Sequence, residues 1–471
     1  MNTQHDTIAA IATPYGEGGI AVIRISGPDA IAVARAVWRR ANGGECPPLE
    51  SHRVYHGHIT DPHSDTIIDE GLLIFFAKNR SYTGDDTVEL NCHGGPFVAR
   101  RVLEATIAAG ASHAGPGEFT RRAFLAGRMD LAQAEAVADL IASSSDRELQ
   151  NARLQLDGNL SDKVNDVAAR VTEALAEVES RIDFPEEDDI GALPFERLEE
   201  LMNSSRRDLE KLAEGYTEGR ILKQGYRLTF IGRPNVGKSS LLNRLLGAER
   251  AIVTAQAGTT RDTIEERVVW RGMPFLLVDT AGMRHAAEGS PEYIATRISR
   301  ERAREHSIDP AGGVLLVMLD RSEPLTEEDI EVLDMALETP HILVLNKCDL
   351  NRKFTSPDLP EKWRDEKPVM ISALTGEGIS NLIEAVIGLR SQGGSKTGGE
   401  GYLLSSARHF AAVKRSVEAI ERADDAIKRN LPHEIIALEI RLAREALDEI
   451  VGRHSVENIL DIIFSRFCIG K

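Results

Sequence analysis

The sequence predicts an α/β plus α chain: a mixed α/β domain first, then a bundle of long helices interrupted by an inserted, doubly wound α/β domain. Three observations predict this. Apolar residues recur at helical spacing from Leu131 to Ile182. Short apolar runs alternate with helical patterns between about Gly225 and Leu389. Helical spacing then returns after a Gly/Ser-rich stretch, Ser391 to Gly399. The length of 471 residues suits about three domains. Boundaries are expected at 1–128, at 129–220 with 390–471, and at 221–389.

Taken in order, Gly19 to Ile25, Thr66 to Phe76 and Thr87 to Leu90 are strand candidates separated by glycine-rich turns. Val98 to Ala109 reads as a helix ending at Gly110. From Leu149 to Ile182 the apolar stripe runs for about nine turns, until Pro185 stops it and an acidic run, Glu186 to Asp189, forms a solvated connection. In the inserted domain, strands are expected at Leu228–Ile231, Val268–Trp270, Phe275–Val278, Val314–Leu319, Ile342–Leu345 and Val369–Ile371. Two closing helices are marked by Phe410, Val413, Val417 and Ile420, and by Ile436, Ile440, Ala443 and Leu447, the second stopped near Gly452.

Composition excludes several classes. Apolar residues at 42% and charged residues at 28% exclude wholesale disorder. A net charge of −18 argues against a surface that coats nucleic acid everywhere, while leaving room for a local basic groove. Cys46, Cys92, Cys348 and Cys468 lie too far apart in sequence for a zinc knuckle or a CxxC pair. A reducing, cytoplasmic setting is the natural reading. No secretory leader is expected, and the longest apolar runs, Leu72–Ala77 and Val314–Leu319, are far short of a membrane span.

The chemistry is concentrated in the inserted domain. Gly232-Arg233-Pro234-Asn235-Val236-Gly237-Lys238-Ser239 fits G-x-x-x-x-G-K-[ST] between a strand and a helix. Its backbone N–H groups can turn inward on phosphate oxygens, Lys238 can reach the β/γ-phosphates, and Ser239, followed by Ser240, can offer a hydroxyl to Mg²⁺. Asp279-Thr280-Ala281-Gly282 ends a strand, as a residue of the Mg²⁺ shell and a γ-phosphate contact should. Asn346-Lys347-Cys348-Asp349 ends another. The Asp349 carboxylate can accept from guanine N1–H and the 2-amino group, a donor pair adenine lacks. Ser372-Ala373-Leu374 can complete the base pocket. Together these motifs resemble a GTPase of the translation-factor-related class.

Between them, Thr254-Ala255-Gln256-Ala257-Gly258-Thr259-Thr260 stands where a switch loop is expected. Thr260 is the choice for a second Mg²⁺ ligand, with Thr259 competing. Met283 follows Gly282, and a thioether cannot orient the attacking water as a glutamine does. Another subunit, an ion or a carboxylate in the next loop must serve, or hydrolysis is slow. Asn235 is a candidate ligand for a monovalent cation.

Beyond this segment the whole chain resembles the MnmE (TrmE) family of tRNA uridine-modifying GTPases. The resemblance rests on Gly18-Gly19-Ile20-Ala21-Val22-Ile23-Arg24-Ile25-Ser26-Gly27, Thr83-Gly84 with Glu89-Leu90, His93-Gly94-Gly95-Pro96, Pro116-Gly117-Glu118-Phe119-Thr120-Arg121-Arg122-Ala123-Phe124, Asp130 to Ala136, and Phe467-Cys468-Ile469-Gly470-Lys471. It implies an N-terminal folate-binding and dimerisation domain and a helical domain interrupted by a P-loop GTPase domain. It also implies GTP hydrolysis and a homodimer that joins an FAD-dependent partner, MnmG (GidA), in a heterotetramer or larger complex. The product would be an aminomethyl or carboxymethylaminomethyl group at C5 of the wobble uridine of certain tRNAs, its one-carbon unit coming from 5-formyl- or methylene-tetrahydrofolate.

Residue by residue, the resemblance places folate contacts at Arg24, Glu89, Arg128 and Lys471, and K⁺ contacts at Asn235, Thr254, Gln256 and Thr259. Arg128 stands where the family commonly has Lys. Thr296 falls where the family has a water-positioning Glu, after an apparent insertion around His285 to Pro291, so Glu292 or Glu288 is the substitute candidate. Cys468 is either a nucleophile toward uridine or a buried structural thiol. The competing function is a ribosome-assembly GTPase of the Era/Der kind.

Overall fold

The computed structural model describes residues 6–183, 195–248, 264–279, 313–393, 401–453 and 457–471. The chain divides into two compact units, residues 1–138 with 448–471, and residues 139–447.

The first unit is built on a seven-stranded sheet. Its elements are β1 (Ile8–Ile11), β2 (Ile20–Ser26), α1 (Ala30–Val37), β3 (Trp38–Arg40), β4 (Val54–Thr60), β5 (Ile67–Phe76), β6 (Thr87–His93), α2 (Pro96–Ala108), β7 (Ser112–His113), α3 (Glu118–Leu125) and the start of α4 (Leu131–Ala142). The strand order is β3-β4-β5-β6-β2-β1-β7. Alternation decides what faces where. On β2, Ile23 and Ile25 are buried in a cluster with Val33 and Val37 of α1 and Val102 of α2. Arg24, between them, is turned to the other face. On β6, Val88 and Leu90 are likewise buried, and Glu89 falls opposite Arg24 in the antiparallel register. β1, β3, β4 and β7 escape the sequence reading because they are short or mix polar residues into the run, as β4 does with Tyr-His-Gly-His. α2 starts at Pro96, two residues before the expected Val98, because proline suits the first helical position.

The second unit begins within α4 and continues through α5 (Asp146–Leu156), α6 (Asn159–Asp183), α7 (Phe195–Glu214) and α8 (Tyr216–Gln224). The nine-turn stripe expected from Leu149 to Ile182 is two helices. Gly158 lies between them at φ 96°, a conformation a helix cannot contain. The acidic run Glu186 to Asp189 lies outside the described residues.

A six-stranded sheet follows, made of β8 (Tyr226–Ile231), β9 (Ile264–Trp270), β10 (Met273–Asp279), β11 (Gly313–Asp320), β12 (His341–Asn346) and β13 (Val369–Met370). Between and after its strands lie α9 (Lys238–Ala248), α10 (Glu327–Ala336) and α11 (Ile379–Gly393). The order is β13-β12-β11-β8-β10-β9, with β9 antiparallel to β10 and every other pair parallel. Strands buried on both faces read as continuous apolar runs, as Val314 to Leu319 does. Phe230, Leu316 and Met318 pack toward Leu241 and Leu245 of α9, while Ile231, Leu315 and Val317 pack toward Val332 and Leu333 of α10. α11 runs to Gly393, so the first residues of the expected linker continue a helix.

α12 (Ala407–Lys428) and α13 (His433–Val451) complete the bundle, and α14 (Glu457–Phe464) follows. The residues from Asp448 onward group with the first unit. The physical reason is apolar: Leu460, Ile463, Phe464 and Phe467 are buried against Leu131, Ala134 and Phe124.

Candidate functional site

The loop from β8 to α9 is wound so tightly that side chains are excluded at two points. A Cβ on Gly232 would lie 2.5 Å from Met318 O, and one on Gly237, at φ 101°, would lie 2.3 Å from Asn346 Nδ2. Asn235 stands exposed at φ 65°, which asparagine tolerates better than most residues. Lys238 is buried at 6% exposure. Its ammonium donates to Gly232 O at 2.7 Å and Arg233 O at 2.9 Å, so the cation is folded into its own loop. Arg233 pairs with Glu323 and lies 3.2 Å from Asp329. Asp329 is held in place by the capping box it forms with Thr326 at the start of α10. Ser239 and Ser240 are exposed in the first turn of α9, where backbone N–H groups lack helical partners and favour anions.

Asn346 is a buried brace. Its Nδ2 donates to Val236 O at 2.7 Å, and its Oδ1 accepts from Ala373 N at 3.0 Å. One amide therefore ties the phosphate-type loop to the loop after β13. Lys347, at φ 63°, pairs with Asp320 at 2.5 Å. Burial opposes ionisation of Asp320, but Lys347 and the Ser322 donors outweigh it and hold the carboxyl below its usual range. Asp349 is exposed on the rim of a cleft of about 550 Å³. Gly237, Ser240, Asn346, Lys347, Asp349, Ala373 and Leu374 line it, all expected from sequence, together with Asn243, Arg244, Gly247 and Leu350. Those four carry no motif. Ser372 is fully buried behind the wall, where its Oγ accepts from Thr375 N at 3.1 Å.

Asp279 ends β10 in register with Phe230 of β8, beside the strand that feeds Gly232. Thr254 to Thr260, Thr280, Ala281, Gly282, Met283, Glu288, Glu292 and Thr296 lie outside the described residues.

A second cluster forms in the first unit. Arg24 reaches Glu89 Oε1 with both Nε and a terminal nitrogen at 2.9 Å, donates to Gly470 O at 3.3 Å, and stacks its guanidinium 5.6 Å from the Phe119 ring centroid. The 467–471 stretch is woven in. Pro116 bridges Ile469, Phe119 N donates to Lys471 O at 3.2 Å, and a Cβ on Gly470 would lie 2.4 Å from Ile11 O. Burial, then the Arg24 charge, holds Lys471 below the usual lysine range. Arg24, Glu89 and Lys471 thus converge, while Arg128 is exposed and donates to Asn79 O at 3.2 Å. Cys468 is exposed, which overturns the buried-thiol reading: the 467–471 stretch is held through its backbone and turns this side chain outward.

Two family models cover the chain. One described as the GTP-binding protein TrmE N-terminus matches residues 7–128, and one described as the MnmE helical domain matches residues 131–468. A protein of Bacillus subtilis strain 168, named tRNA modification GTPase MnmE, is 40% identical over 99% of this chain and 100% of its own length. One from Geobacter sulfurreducens with the same name is 42% identical over 99% of each. A crystal structure of the G domain of the Thermotoga maritima FeoB iron transporter aligns with 35% of this chain and 97% of its own, at 26% identity and a TM-score of 0.25. That score is too low to bear on the fold.

Proposed function

This chain belongs to the MnmE family of tRNA modification GTPases, and from that premise we propose that it hydrolyses GTP at the Lys238 loop to drive modification of the wobble uridine of certain tRNAs at C5. The observation that carries the reading is the cleft between Gly237, Asp349 and Leu374, which opens beside a buried lysine curled onto loop carbonyls. A triphosphate entering there exchanges those two carbonyls for phosphate oxygens as partners of the ammonium, a stronger, charge-assisted pair. Asp349 reads the base. Water attacks the γ-phosphorus, the bond to the β-γ bridging oxygen breaks, and GDP and phosphate leave.

Ser239, exposed at the helix start, and Thr260 would hold Mg²⁺, which neutralises charge on the β- and γ-phosphates. Asn235 with Thr254, Gln256 and Thr259 would hold K⁺, which offsets charge developing in the transition state. Ser240, Ala255, Ala257, Gly258, Thr280, Ala281 and Gly282 complete the nucleotide contacts; the water-positioning role is left open, with Glu292 or Glu288 the candidates. The domains are 1–128, 129–220 with 390–471, and 221–389. The homodimer works with the FAD-dependent MnmG and with tRNA in the cytoplasm. Among the described residues no helix is long and apolar enough to cross a membrane. The N-terminal and helical matches favour this reading over a ribosome-assembly GTPase of the Era/Der kind.

In the first unit, Arg24, Glu89 and Lys471 fit a folate, since a carboxylate facing ring donors is flanked by two cations for ring carbonyls or a glutamyl tail. A bound 5-formyl- or methylene-tetrahydrofolate would supply the one-carbon unit. Arg128 would add charge from the loop after α3, and Cys468, exposed beside this cluster, is a candidate nucleophile. Glu89→Gln should weaken 5-formyltetrahydrofolate binding about tenfold or more by calorimetry, with GTP affinity unmoved. Unchanged folate affinity would remove Glu89 from the site.

Nucleoside analysis of tRNA tests the function itself. A strain lacking this protein should lose the C5 substituent at wobble uridines and regain it when the gene is restored. Normal wobble uridines in the deletion strain would sink the proposal.

A further inference from the structure

Arg244 stands on the exposed side of α9, between the buried Leu242 and Leu245. Its Nε donates to Ala373 O at 3.2 Å, and a terminal nitrogen donates to Leu374 O. Ala373 is thus gripped at both ends, its N–H by Asn346 Oδ1 at 3.0 Å and its carbonyl by Arg244. The next turn is closed too: Thr375 N goes to Ser372 Oγ and Gly376 N to Ser372 O, at 3.1 and 2.8 Å. The Leu374 N–H differs from these. It lies across a trans peptide from the carbonyl Arg244 holds, and no hydrogen bond from it to another described residue is seen. Beside it the Leu374 side chain is 76% exposed at the cleft.

We propose that Arg244 is a positioning residue for base recognition, an inference that rests on the cleft being the guanine site. By fixing the planes of the Ala373–Leu374 and Leu374–Thr375 peptides, it presents the Leu374 N–H to the 6-oxo group of the purine and the Leu374 side chain to its face. Asp349, on the loop after β12 and also lining the cleft, reads N1–H and the 2-amino group. The 6-oxo group and the N1–H/2-amino pair are therefore read from separate loops, and Arg244 controls only the first. A fixed donor binds more tightly than a mobile one because its ordering cost has already been met.

The test uses full-length protein and three ligands. GDP carries the 6-oxo, N1–H and 2-amino groups, IDP lacks the 2-amino group, and tripolyphosphate has no base. Arg244→Ala should weaken GDP and IDP alike by about tenfold, leave the GDP:IDP ratio unchanged and leave tripolyphosphate binding untouched. Arg244→Lys, with one donor group on a flexible stem, should recover part of the loss. Wild-type affinity for GDP and IDP in Arg244→Ala overturns the proposal. So does an equal loss for tripolyphosphate, which would make Arg244 merely structural. Asp349→Asn is the control on the underlying reading. If it leaves the GDP:IDP ratio of the wild type intact, the cleft is not the guanine site and the failure lies there, whatever Arg244 does.

Discussion

Lys238→Ala is expected to reduce GTP turnover by at least about 100-fold, since a charge-assisted contact to the β/γ-phosphates is lost in the ground state and the transition state alike. The protein should still fold. The ammonium now bonds Gly232 O and Arg233 O; losing it leaves two carbonyls without that donor and costs about 1–3 kcal/mol. The loop's course is set independently, by the Gly232 and Gly237 backbone and by Asn346 holding Val236 O. Hydrolysis assays beside a thermal melt separate the two effects. The wild-type rate used for comparison should itself be higher in K⁺ than in Na⁺ at equal ionic strength. Normal turnover by Lys238→Ala at an unchanged melting temperature would remove the loop from the reaction.

Asp349→Asn should lose GTP affinity by about 100-fold or more and gain affinity for XTP. The carboxylate offers two acceptors to the N1–H and 2-amino donors of guanine. An asparagine turns one of them into an N–H₂ that faces another donor, and unmatched polar groups at a reading site are costly. Xanthine carries a 2-oxo group in that place and accepts from the new amide. Because Asp349 is exposed on the cleft rim, water competes, so the loss should fall at the lower end of what such sites reach. Competition of GTP, XTP and ATP for the variant measures it directly. A variant that still prefers GTP by the wild-type margin would relieve Asp349 of the role.

What could be read in advance follows a simple division. Lys238, Asn346 and Asp349 announce themselves because phosphate and guanine recognition demand fixed residue types at fixed short spacings, and because each motif ends an apolar strand. Arg244 does not: its partners are 129 and 130 residues away, and on its own helix it reads as an ordinary solvated position. The bracing role of Asn346, which spans 110 residues to Val236, is equally silent in the local pattern. Arg24 and Glu89 lie on strands whose alternation is legible, but their pairing depends on the β2–β6 register. That register is fixed by packing against α1 and α2, not by either strand alone. The single stripe from Leu149 to Ile182 misled because helical spacing survives a short break. Gly158 was visible in the sequence, but only its positive φ shows that it ends one helix before the next begins.

The interlacing of residues 467–471 with Ile11, Pro116 and Phe119 has a consequence for biosynthesis. Translation proceeds from one end, so the sheet that starts forming first must wait for more than three hundred intervening residues before its last backbone partners emerge. During that interval the apolar side chains of Phe124 and Leu131 await α14, which makes the nascent first unit a natural client for chaperones.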